Sequence, residues 1–194
     1  MKNIYFIILT TLILMSSVKM HGQSDKFNTA ILEIIKGFHS KDSDKINEYI
    51  HPDYGLIVLL RRGAMDEFKK TDKINFNKPI PEYLPYFPFK IDLKIQFQEL
   101  PTFDCDSGKW NKVGLYCDTT RIDNLLSTTA INLTKYREEN IPFETISKFK
   151  TIENKSRRIV LIDDEEGELV FYITLINNKW YLTILDRISS DCSA

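Results

Sequence analysis

The sequence predicts an α+β fold in which N-terminal helices pack on a mostly antiparallel sheet, with an additional helix near residues 120–139. Three observations carry this. Apolar residues recur at helical spacing from Phe27 to Phe38, residues 91–98 alternate strictly between apolar and polar, and the last third reads as three strands joined by short turns.

The chain opens with Met1-Lys2-Asn3 and then runs without a charged residue from Ile4 to Met15 before turning polar, with small residues at Gly22 and Ser24. This pattern predicts a cleavable secretory signal peptide over residues 1–24, cut near Gly22 to Ser24. The apolar run is shorter than the ~20 residues a membrane-spanning helix needs. With no cysteine nearby for lipid attachment, residues 25–194 are expected as one exported, soluble domain, periplasmic or extracellular.

In that domain, Ser24 or Asp25 caps a first helix whose face is Phe27, Ala30, Ile31, Ile34, Ile35 and Phe38. Asp42-Ser43-Asp44 breaks and recaps the chain for a short second helix carrying Ile46, Tyr49 and Ile50, ended by Pro52. Tyr54 to Leu60 is a continuous apolar run of strand length, buried on both sides. From Gly63, Met65 and Phe68 fit a short third helix. Pro79, Pro81, Pro85 and Pro88 exclude regular structure between Lys78 and Phe89. Ile91, Leu93, Ile95 and Phe97 face a core, and Trp110 to Cys117 is expected as their hairpin partner across a tight Asp106–Lys109 turn. From Thr120 the helical period returns through Ile122, Leu125, Leu126, Thr129, Leu133 and Tyr136, with Pro142 beyond its end, and Phe143 to Thr151 adds another helical stretch.

The closing strands are expected at Arg158–Asp163, Glu168–Ile176 and Lys179–Ile188. Asn177-Asn178 suits a two-residue turn at positive φ. That turn predicts Leu175 opposite Trp180, Ile173 opposite Leu182, Phe171 opposite Ile184 and Leu169 opposite Asp186. On the other face it pairs Thr174 with Tyr181 and Tyr172 with Thr183.

Lysine and arginine number 26 against 27 acidic residues, and removal of Lys2 and Lys19 with the leader leaves 24. This slightly acidic balance argues against a nucleic-acid partner, which needs a basic face to release counterions. Lys155, Arg157 and Arg158, and the acidic residues between Asp163 and Glu168, read as solvated turns flanking one strand. His39 and His51 form no ligand spacing for a metal, and no phosphate loop or nucleophile elbow is present, so no cofactor is expected. Three cysteines cannot all pair. Cys105 and Cys117 are near in sequence, but the expected hairpin sets Cys105 opposite Trp110 and Cys117 opposite Gln98, too far apart for a disulfide, so either the loop is wider than this or Cys105 stays reduced. Cys192, close to the C-terminus, either finds a partner or stays free.

The segments Phe27–Phe38, Ile46–Gly55, the residues after Arg61-Arg62-Gly63 and the closing Asn178-Lys179-Trp180-Tyr181-Leu182 resemble, in layout, the superfamily of nuclear transport factor 2, ketosteroid isomerase and the polyketide-cyclase-like proteins. The resemblance implies a curved, cone-like sheet, to which the helix near 120–139 is an addition. Enzymes of that fold hold an aspartate in the cavity, where desolvation raises its pKa and makes it a base. The weak candidates for such a role are Asp186, which the expected register sets on the face of Trp180, Leu182 and Ile184, and His51 and Asp53 after the second helix. Tyr83, Tyr86, Phe87, Trp110 and Trp180 are the aromatics that could line a ligand site. No catalytic constellation appears. The expected function is therefore non-catalytic binding of a small hydrophobic or peptidic ligand or a protein partner, with a small-molecule isomerase, dehydratase or cyclase based on Asp186 or Asp53 as the alternative.

Overall fold

The computed structural model describes residues 24–86, 89, 94–163 and 167–193. The leader, Phe87 and the first half of the strand expected at residues 91–97 lie outside them. Helix α1 covers residues 24–40 and stops where Lys41 takes a positive φ of 52°. Asp42 then caps α2 (Ser43–Asn47), accepting the Lys45 amide at 3.0 Å. The two helices touch at Gly37, where a Cβ would lie 2.6 Å from Ile46 Cγ1.

Among the described residues, seven strands form one open sheet in the order β2-β1-β9-β8-β7-β6-β3. They are β1 (Leu56–Arg62), β2 (Met65–Thr71), β3 (Ile95–Gln96), β6 (Gly114–Cys117), β7 (Ser156–Ile162), β8 (Glu168–Ile176) and β9 (Lys179–Asp186). Strands β4 (Phe103–Asp104) and β5 (Lys109–Trp110) make a separate hairpin. Neighbours are antiparallel except β1 with β9 and β3 with β6. The fold is thus α+β, with N-terminal helices on a mostly antiparallel sheet. The additional helix is α3 (Leu125–Tyr136), followed by α4 (Phe143–Lys155).

Each sheet face has its own cover. Leu56 and Val58 of β1, Ile159 and Leu161 of β7, Phe171 and Ile173 of β8, and Leu182 and Leu185 of β9 pack with Ile31, Ile34 and Ile35 of α1. On the opposite face Ile57, Leu59, Tyr172 and Ile184 meet Leu126 and Ala130 of α3 and Phe149 of α4. Further along that face, Val160, Ile162, Val170 and Tyr116 are covered by Leu100 and Trp110.

Four expectations are corrected. The segment after Gly63 is a strand: Gly63 at φ +66° turns the chain back, and Met65–Thr71 pairs with β1 along its whole length. Its apolar residues Met65 and Phe68 are three apart, a spacing compatible with a helix, but the free edge of β1 imposes the strand. Residues 95–96 pair with β6 in parallel, whereas Trp110 pairs with Phe103 across a turn one residue earlier than expected, with Asp104 opposite Lys109. In the closing hairpin, Asn177 and Asn178 have φ of 49° and 64°, and Leu175 faces Trp180 as expected. A bulge between Ile173 and Tyr172 then shifts the pairing, so that Tyr172 faces Ile184, Phe171 faces Leu185 and Val170 faces Asp186. One inserted residue reverses the faces. Asp186 therefore lies on the side of Ile184, away from Leu182. Finally, Arg158 is not in a solvated turn, as described below, and neither is Asp163, which is buried with its Oδ1 accepting the Gly167 amide at 2.6 Å.

The cysteines resolve into a Cys105–Cys192 disulfide, with Cα atoms 5.7 Å apart, and a free, buried Cys117. Cys105 and Cys117 are not paired with each other, but the hairpin from which that was expected is absent among the described residues, and Cys105 is oxidised rather than reduced. Among the described residues, no helix is long and apolar enough to cross a membrane.

Candidate functional site

The α3–α4 face carries a polar cluster that its apolar surroundings make expensive to leave unpaired. At its centre Asp186, whose side chain is fully buried, receives Arg158 Nη2 at 2.9 Å, Ser189 Oγ at 2.7 Å and the amides of Ile188 and Ser189, each at 3.1 Å. Arg158 also donates to Ser189 Oγ, and its Nη1 lies 3.9 Å from Asp123 Oδ2. The bulge is what brings Asp186 here, since it places that carboxylate on the same face as Tyr172 and within reach of Arg158 on β7. The Arg158 guanidinium stands over the Tyr172 ring at 5.7 Å. Burial opposes charge on Arg158, but Asp186, Tyr172 and Asp123 hold its pKa above the ordinary value. Burial likewise pushes the Tyr172 phenol upward, leaving it protonated.

Glu153 of α4 supplies a second arm. Its Oε1 accepts the amides of Leu126 at 2.7 Å and Ser127 at 3.1 Å, capping α3 from a different helix because Asn124 makes no side-chain cap. Burial raises the Glu153 pKa against the lowering effect of those bonds. Four buried polar atoms make no hydrogen bond here: Asp123 Oδ2, Glu153 Oε2, Arg158 Nε and Tyr172 Oη. Beside them runs a chain of hydroxyls. Ser156 Oγ donates to the Ile152 carbonyl at 2.8 Å, so Thr174 must donate to Ser156 and Thr183 to Thr174, both at 2.6 Å.

His51 and Asp53 are elsewhere. His51 is buried, its Nδ1 accepts the Asp53 amide at 3.1 Å, and its ring meets Tyr54 and Tyr181 edge-on at 4.9 and 4.8 Å. Asp53 is exposed, and its carbonyl accepts Lys70 Nζ at 3.4 Å. The aromatics divide among separate places. Tyr86 packs on Phe38 and Phe76 with Arg187 over its ring, Trp180 meets Phe27 edge-on at 4.8 Å, and Trp110 lies on the opposite face, donating to Glu168 Oε2 at 2.7 Å. Tyr83 is 69% exposed and donates to the Arg61 carbonyl at 2.7 Å.

Two openings adjoin these residues. A cleft of about 140 Å³ lies between Phe38, Tyr86, Phe89, Leu169 and Leu185 on the α1 side. A groove of about 890 Å³ runs between β2 and residues 73–83, lined by the exposed cations Arg62, Lys69, Lys70, Lys73 and Lys78. Its acidic residues are Glu67 and Glu82, and Glu67 is paired with Arg137. None of the five cations has an ion-pair partner among the described residues. The groove's far wall is tied down: Arg187 donates to the carbonyls of Ile80 at 3.3 Å and Pro85 at 2.9 Å, and Asn47 holds Ile74.

Sequence reasoning missed both the groove and the partners of Asp186. The lysine spacing at 69, 70, 73 and 78 was a signal for the first. Arg158, Glu153 and Asp123 offered none, because they meet Asp186 and Tyr172 only across packed elements. Among the described residues no group of three or more histidine, cysteine, aspartate or glutamate side chains could hold a metal ion. The chain matches no family model, and no curated protein or solved structure matches it.

Proposed function

We propose that this chain is an exported, non-catalytic binding domain whose ligand is a peptidic segment of a partner protein. The observation that carries the reading is the groove of about 890 Å³ beside β2, which is open, firmly walled and within the size range of ligand sites. The carboxylates suggested as bases argue the same way. Asp186 is saturated by a cation, a hydroxyl and two amides, and Asp53 stands in the open beside a turn. The cleft on the α1 side, at about 140 Å³, is too small for the enclosed chamber that small-molecule catalysis on this layout would use.

The disulfide favours an oxidising compartment and so supports export. The long first helix, short second helix and closing antiparallel strands support placing the chain in the superfamily of nuclear transport factor 2. The β1–β2 hairpin where a third helix was expected weighs against it.

Selection of binders from a displayed random-peptide library tests the reading. Selected peptides are expected to perturb amides around Arg62–Thr71 and residues 73–83. The alternative, a small-molecule enzyme, draws its support from Glu153, a desolvated carboxyl with an unpaired oxygen beside Tyr172. Turnover of an isomerisation or dehydration substrate that Glu153→Gln abolishes, together with a library that yields no binder, would replace the binding reading with that one. Export is tested separately by the mass of the secreted chain, which is expected to begin near residue 23–25.

A further inference from the structure

We infer that the groove takes an acidic, extended segment of a partner protein, which adds to the sheet as a strand along the outer edge of β2. The inference rests on the binding reading above and names the occupant and its mode of attachment.

The first ground is topological. β2 ends the sheet, pairing with β1 through all seven of its residues and, among the described residues, with no strand on its other side. About half of its backbone N–H and C=O groups therefore point outward, a template that only another peptide backbone complements. The second ground is the way the groove meets this strand. Glu67, Lys69 and Thr71 lie on one face of β2, and Phe68 and Lys70 on the other, yet all five line it. Leu60 and Arg62 of β1 share the face of Glu67, Lys69 and Thr71 and line the groove too, so it opens over that face of the β1–β2 hairpin and, through Phe68 and Lys70, reaches round β2 to its outer edge. Bound chain there would meet main-chain donors and acceptors between two rows of side chains, the arrangement used in strand addition.

Charge decides what kind of strand enters. Among the described residues Arg62, Lys69, Lys70, Lys73 and Lys78 are exposed and have no ion-pair partner, against Glu82, which has none either. Lysines on an edge strand guard it against neutral strands, which would have to bury them, and the same lysines welcome carboxylates. They disfavour pairing of the open edge with a second copy while leaving it open to one class of partner. Half-buried Phe68 offers an apolar contact for the alternate side chains of an incoming strand. The wall opposite, held by Arg187 and by Tyr83 on Arg61, is in place before binding, which reduces the ordering cost.

The probe is a capped peptide of about ten residues alternating glutamate and valine, compared with its lysine–valine counterpart, with a version carrying proline at alternate positions, and with heparin. Binding to the mature chain is read by fluorescence anisotropy, and attachment by amide hydrogen exchange. The glutamate–valine peptide is expected to bind at least about tenfold more tightly than the lysine or proline peptides, to weaken with salt, and to slow exchange in Met65–Thr71. Lys69→Glu with Lys70→Glu is expected to weaken it about tenfold without shifting the unfolding midpoint. Equal binding of the proline peptide and heparin, with no protection in β2, would reduce the groove to a polyanion surface and overturn strand addition. Library-selected peptides that bind elsewhere, untouched by the Lys69/Lys70 double variant, would overturn this inference and leave the binding reading standing. Absence of binding by every peptide would end both.

Discussion

Beneath α1 and α2 the sheet is packed chiefly by hydrocarbon, with Ile31, Ile34, Ile159, Phe171, Ile173 and Leu182 all fully buried and the Cys117 thiol among them. Beneath α3 and α4 the same strands bury Arg158, Asp186, Tyr172, Thr174 and Thr183 among Ile57, Leu59 and Ile184. The first face is held by area and fit, which tolerate replacement of similar volume. The second is held by directed contacts, each of which leaves a charge or hydroxyl stranded if its partner goes. One sheet thus combines a forgiving face with an exacting one, and the bulge in the closing hairpin is what aims Asp186 into the exacting side.

The largest effect that could break this contrast is Asp186→Ala. It strands the Arg158 guanidinium and two amides, and we expect a loss of about 3–5 kcal/mol in urea unfolding. A cost under about 1 kcal/mol would show that the polar face is no more exacting than the other. Replacing the pair together, by Arg158→Met with Asp186→Leu, should restore most of that stability, because apolar fillers remove the need for partners.

Next in size is the Cys105–Cys192 bridge, which closes a sequence separation of 87 and fastens the tail to the β4–β5 hairpin, the cover of the outer part of the polar face. Its removal should cost about 2–5 kcal/mol. The accompanying rise in amide exchange is expected around Phe103–Trp110 and the tail, with α1 unchanged. On the apolar face, Ile159→Val should cost only about 1 kcal/mol, measured in the same unfolding assay.

A smaller effect follows from Glu153, whose folded pKa burial raises above the ordinary 4.5. The folded state binds this proton more tightly than the unfolded one. Its contribution is therefore complete below about pH 4.5 and is lost as pH rises through the raised folded value. Glu153→Gln keeps an acceptor for the α3 amides and removes the ionisation, so its stability relative to the parent should improve from pH 4.5 toward neutrality. A constant difference across that range would mean that Glu153 does not titrate between the two states. The smallest effect is none at all. Cys117, fully buried in the apolar face with its thiol pushed up to about 12 by burial, should resist thiol reagents until the chain unfolds. Fast labelling of the native protein would show that the apolar face opens more readily than its packing implies.

The elements were legible wherever period and turn chemistry agreed. Phe27 to Phe38 spelled α1, Asn177-Asn178 spelled the closing turn, and the helical period expected from Thr120 spelled α3, which begins only at Leu125 and leaves Ile122 exposed. Met65 to Thr71 was not legible, because two apolar residues three apart suit either state and the deciding influence was β1 beside it. The site was harder. Asp186 was visible as a carboxylate, but a bulge has no fixed signature, and one inserted residue moved it to the other face. Glu153 looked like an ordinary residue of a charged helix, since nothing local tells that it will cap another one.

By itself the sequence determined the order and type of most elements, the apolar stripes of α1 and α3, and the closing turn at Asn177-Asn178. These follow from periodicity and turn chemistry, which are properties of neighbouring residues. The tertiary structure alone decided that β1 lies parallel to β9, that Cys105 finds Cys192, that Arg158 meets Asp186, and that, among the described residues, β2 ends the sheet with lysines along it. Each of these joins residues far apart in the chain. Their meeting is fixed by which faces must be covered at once, and no local pattern records that competition.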